Sequence, residues 1–163
     1  MMSRDRNIEI GRAVTDLVRD DAVKLRFVEV AEEAKAILAA DPSKLAASIV
    51  LPQELFGSHL PSELKSCRLS VMRGGTAYHV ERHPNATQYV LSVAGKGTIR
   101  VKSDDGWVVS SLSSGPSIPL LERWHMVPTN TWHQPTPGEN HWTVVAFHTA
   151  PAEELKDEYG YNE

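Results

Sequence analysis

The chain is short of cysteine, of long apolar runs and of basic charge. Cys67 is the only cysteine among 163 residues, so no internal disulfide can form, as suits a reducing compartment. No stretch approaches the ~18 consecutive apolar residues of a membrane helix. Residues 1–12 are charged and lack the apolar core of a signal peptide. A cytoplasmic location with no membrane partner is the expectation. The net charge is −4, and residues 153–163, with five acids and one base, account for all of it. The remainder is neutral, so bulk charge gives no support to nucleic-acid binding through phosphates.

What is present is enough for one packed domain. Hydrophobic residues make up 41% and charged residues 23%, which argues against a disordered chain. Four segments are expected: a helical extension over 1–50, a linker over 51–66, a β-barrel over 67–149 and an acidic tail over 150–163. In the first, Ile10, Val14, Leu17 and Val18 fall on one helical face. Asp20 or Asp21 caps a second helix with the stripe Val23, Phe27, Val30, Ala34, Ile37 and Leu38. Asp41-Pro42 reads as the cap and first position of a short third helix ending near Ile49. Pro52, Gly57 and Pro61 then break up the linker.

From Cys67 the pattern shortens. Runs over 68–73, 77–82, 87–93, 97–102, 107–112 and 141–149 read as strands separated by Gly, Pro, Asn and Ser. Short strands at this spacing indicate a sandwich or small barrel, not a crossover parallel sheet.

Six of the seven histidines lie between His79 and His148. On a strand, His79, Glu81 and His83 share one face while Val80 and Arg82 take the other. A carboxylate flanked by imidazoles suits proton transfer, and the same groups are ordinary metal ligands. A polar outer strand face is the third reading of the same pattern. A second cluster runs from Trp124 to Pro135. There the spacing Pro128, Asn130, His133 resembles the second cupin motif, Pro-x-Gly-x-x-His, with Asn130 at the glycine position; asparagine tolerates positive φ better than most residues. Glu81, His83, Gln88 and Gly95 resemble the first cupin motif, with Glu81 and Gln88 standing where it has histidine and glutamate. The resemblance implies a mainly β, cupin-like (double-stranded β-helix or jelly-roll) barrel behind the N-terminal helices. Its metal set would be Glu81, His83, Gln88 and His133.

The strings Glu81-Arg82-His83-Pro84, Thr87-Gln88 and Trp132-His133-Gln134-Pro135 are similar to signatures of the ureidoglycolate lyase family. The resemblance covers roughly residues 67–149 and implies cleavage of a carbinolamide C–N bond, giving glyoxylate and urea. Under it, Glu81, His83 and His133 are the catalytic candidates, Gln88, Arg73 and Trp132 would contact substrate, and no cofactor is required. Two other classes stay open. One is a metallo-cupin, a dioxygenase or isomerase holding Fe, Mn, Ni or Zn on the four residues above. The other is a non-enzymatic cupin that senses a small ligand. In each the partner is a small molecule, and the amphipathic helices offer surface for a homodimer. His125 and His141 read as surface histidines, His148 as a core histidine, the tryptophans as packing, and Cys67 as a small buried strand residue.

Overall fold

The computed structural model describes residues 2–160. Two helices come first, α1 (Arg4–Leu17) and α2 (Asp21–Ala40). The Ser3 side chain accepts from Arg6 N at the start of α1, and Asp20, one of the two caps expected for α2, accepts from Ala22 N and Val23 N. No helix among the described residues is long and apolar enough to cross a membrane.

Ten strands follow among the described residues: β1 (Ala46–Leu51), β2 (Ser66–Met72), β3 (Val80–Arg82), β4 (Gln88–Ala94), β5 (Lys96–Ser103), β6 (Gly106–Ser113), β7 (Trp124–Val127), β8 (His133–Pro137), β9 (Trp142–His148) and β10 (Glu158–Gly160). They form two five-stranded sheets, ordered β1-β2-β9-β4-β7 and β10-β3-β8-β5-β6, with antiparallel neighbours throughout.

Period-2 alternation in the first sheet explains the layers. Cys67, Leu69 and Val71 of β2, Tyr89 and Leu91 of β4, and Val145 and Phe147 of β9 pack in one core with the helical stripe. The alternate residues, including Met72, Val90, Val144 and Ala146, join Ile99 and Leu112 of the second sheet in a smaller core. The centre of the first sheet is thus covered on both faces, and every residue of β9 is buried. Trp142 is fully buried and donates its indole N–H to Ser92 Oγ at 2.9 Å.

Four expectations are corrected. The third helix is absent: Asp41 accepts from Ser43 N and Lys44 N in a single turn, and residues 46–51 become β1, paired with β2 from Ala46↔Met72 to Leu51↔Cys67. Tertiary pairing overrides a weak local pattern there. Ile37 leaves the buried stripe and is 42% exposed, while Ala31 joins it. The segment expected as a linker holds a 3₁₀ segment, Gln53–His59, whose Phe56 packs against Phe27 and Phe147 with ring centroids 6.4 and 5.3 Å apart. The acidic tail also belongs to the fold, since β10 pairs with β3; residues 161–163 lie outside the described ones.

Candidate metal centre

Cross-strand register builds the site. Glu81 of β3 lies directly opposite His133 of β8, and Tyr159 of β10 lies opposite Glu81 on the other side. Directly opposed residues put their Cβ atoms on one face, about 5 Å apart. The three therefore form a row across the second sheet, and all three line one cavity between the sheets. His83 follows β3 immediately. Its carbonyl accepts from Asn130 N at 2.8 Å, which ties the turn after Pro128 to the first cluster. Asn130 has φ 59°, the only positive φ outside glycine among the described residues, so this asparagine does take the backbone role of the motif's glycine.

Glu81, His83 and His133 converge as their spacing predicts. One ligand atom from each lies within 4.8 Å of the others, and His133 Nε2 is 3.5 Å from a Glu81 oxygen. Gln88 joins them through its amide nitrogen, 3.1 Å from both His83 Nε2 and His148 Nε2. His79 does not take part: β3 begins only at Val80, and His79 is exposed, its ring against those of Tyr78 and Tyr159.

Two further expectations fail. Arg73 was expected at the substrate, but its guanidinium donates to the carbonyls of Leu38, Asp41 and Lys44, closing the end of α2. Trp132 does not line the cavity; it stacks beneath Arg82, 4.5 Å from guanidinium carbon to ring centroid. Cys67 is fully buried, and burial pushes its thiol well up, as expected for a core residue.

The residues missed in the sequence are Arg68, Asp157 and the pair Tyr78 and Tyr159, whereas His148 is the core histidine expected. Asp157 binds Arg68 through both oxygens at 2.9 and 3.0 Å and lies 2.9 Å from His83 Nδ1. Burial alone would raise the Asp157 carboxyl; the hydrogen bonds from His83 and Arg68 outweigh it and hold the group well below the usual carboxylate range. His148 is fully buried, and burial, followed by the Arg68 and His83 charges, pushes its pKa well down. It is therefore a neutral core imidazole. The Tyr78 phenol is also pushed up, by burial and then by the Glu81 charge, so it stays protonated.

These residues fit a divalent metal. His133 Nδ1 is 3.1 Å from the Thr131 carbonyl, which fixes the proton on that nitrogen and turns the Nε2 lone pair inward. That Nε2 is buried with no hydrogen-bond partner. Asp157 orients His83 in the same way, the carboxylate–imidazole pairing that supports metal-bound histidines. Two imidazole nitrogens and one carboxylate are a normal donor set for Fe, Mn, Ni or Zn. Gln88 faces His83 with nitrogen, and its oxygen is buried without a partner, so it is a hydrogen-bonding neighbour here.

The architecture is the cupin fold, shared with several solved enzyme structures. A salicylate 1,2-dioxygenase from Pseudaminobacter salicylatoxidans matches with TM-score 0.58 and 14% identity, covering 80% of this chain and 37% of that one. A Lactobacillus farciminis oxalate decarboxylase in complex with formate matches at 0.55 and 12%, covering 71% and 31%. A recombinant oxalate oxidase in complex with glycolate matches at 0.55 and 11%, covering 72% and 56%. The chain thus spans little more than half of the last and about a third of the others. At such identities the likeness shows the fold alone. No protein-family model and no curated protein sequence matches the chain.

Proposed function

We propose that this protein is a divalent-metal-binding cupin enzyme acting on a small hydroxy or oxo carboxylic acid, with ureidoglycolate as the first substrate to test. The observation that carries this reading is the buried, unpartnered Nε2 of His133, set beside Glu81 and His83 within 4.8 Å. A lone pair buried without a donor costs about 1–3 kcal/mol, and a bound cation offsets that cost. When bound, the metal would act as a Lewis acid on a substrate oxygen and lower the pKa of a coordinated hydroxyl.

The chain's own residues supply the rest. Glu81, His83 and His133 would hold the ion. Arg68 lines the cavity, its guanidinium held there by both oxygens of Asp157. The protonated Tyr78 hydroxyl donates to a developing oxyanion. The cavity is only about 50 Å³, which favours a small acid over an aromatic one. Two of the similar structures hold formate and glycolate, ligands of that class.

The closeness of Glu81 and His133, 3.5 Å, supports a second, metal-free reading. Glu81 takes the hydroxyl proton of ureidoglycolate, the C–N bond breaks with its electron pair going to nitrogen, and protonated His133 returns a proton there. Glyoxylate and urea leave. Urea and glyoxylate release, assayed on protein stripped of metal and on protein reloaded with Fe, Mn, Ni or Zn, separates the readings. Activity lost on stripping and restored by one metal supports the first, and unchanged activity supports the second. Tight binding of a small acid without turnover of ureidoglycolate, glycolate or oxalate would replace both with a sensor.

A further inference from the structure

A cavity of about 760 Å³ lies outside the barrel, between the helices and the outer face of the first sheet. Its volume falls in the range of small-molecule sites, roughly 300–1,000 Å³. Val18 just after α1, Phe27 and Ala31 of α2, and Leu91 and Val93 of β4 form its walls. Three of the polar side chains in those walls are already committed. Thr15 donates to the Gly11 carbonyl at 2.7 Å, Ser92 accepts from Trp142, and Ser114 donates to the Gly95 carbonyl at 3.1 Å. The interior therefore offers a ligand apolar contact and little else.

The rim has the opposite character. Arg19, Lys24, Lys35 and Arg123 line it against one acid, Glu32. Lys35 pairs with Glu32 at 2.7 Å, while Arg19 and Lys24 make only long, exposed contacts to Asp16 and Asp21, 3.7 and 3.9 Å. Contacts of that kind are worth little and are readily exchanged for a better anion. On α2, Val28 lines the groove and is 61% exposed, and Leu25, one turn before it, is 63% exposed. An occupant must therefore combine an apolar body with an anionic head.

We propose that this groove is a binding site for an unbranched aliphatic carboxylic acid of the fatty-acid class. The chain lies between α2 and β4, and the carboxylate sits at Arg19 and Lys24. The site is separate from the metal centre: β4 presents Leu91 to the groove and Gln88 to the barrel cavity.

Calorimetric titration of the full chain with decanoate, below its micellar concentration, tests this. Decanoate is expected to saturate one site per chain, with acetate and decyltrimethylammonium at least about tenfold weaker. The double substitution Arg19→Glu, Lys24→Glu, both on the surface, is expected to weaken decanoate by about tenfold or more. Ala31→Trp fills the groove and is expected to abolish binding, with circular dichroism confirming the fold. No saturable decanoate binding, equal binding of the cationic analogue, or indifference to the charge reversal overturns the proposal. So does a dimer in light scattering that Ala31→Trp converts to monomer, because the groove is then a contact between two copies of the chain.

Discussion

Asp157, in the acidic tail, places a carboxylate oxygen 2.9 Å from Nδ1 of His83, inside the barrel. A segment with the composition of a solvated tail thereby sets which nitrogen of a barrel histidine faces the cavity. The same carboxylate holds Arg68 with both oxygens, so one residue orients a metal-site imidazole and neutralises the guanidinium beside it.

Asp157→Asn should therefore weaken metal binding without emptying the site. Loss of a supporting partner of this kind typically costs 10–100-fold in affinity. Losing one charged partner of Arg68 should also cost about 2 kcal/mol of stability. Metal titration and urea melts of the variant check both. Unchanged affinity would mean that Asp157 serves stability alone.

Arg73→Ala should behave in the opposite manner. Its three carbonyl acceptors lie at the end of α2 and in the turn after it, so the variant should lose about 1–2 kcal/mol of stability. Metal affinity should stay within twofold of the parent. A selective loss of substrate or metal binding would restore the role that the sequence suggested for it.

Gly11→Ala should destabilise the protein even though alanine is the better helix former. A Cβ at Gly11 would stand 2.1 Å from two ring atoms of Trp124. The propensity gain is about 1 kcal/mol, whereas overpacking costs roughly 1–3 kcal/mol. The net change should be a loss, read as a lower urea midpoint, with α1 displaced from β7. A stabilised variant would show that α1 can ride up on Trp124 at no cost.

Much of this site is legible in the chain because short-range rules govern it. Period-2 alternation sets Glu81 and His83 on one face, and the Pro128–Asn130 turn delivers His133. Alternation in Cys67-Arg68-Leu69-Ser70-Val71 also marks a polar inner face, so Arg68 was within reach of the same rule. Asp157 and Tyr159 were not, because only the long-range pairing of β10 with β3 brings Tyr159 to the cavity and Asp157 to His83. Arg73 looks alike locally whether it meets a substrate or a helix end; the carbonyls it binds are at least 29 residues away in sequence. Residues 46–51 form a short apolar run that suits helix or strand equally, and pairing with β2 decides it.

Metal stoichiometry is the most direct measurement of the account. Protein stripped by chelator, dialysed against Fe(II), Mn, Ni or Zn, and analysed for metal content should retain one ion per chain. His133→Ala and Glu81→Ala should retain none while keeping the parent's circular dichroism spectrum. A parent protein that holds no stoichiometric metal, or variants that hold as much as the parent, would contradict the metal centre.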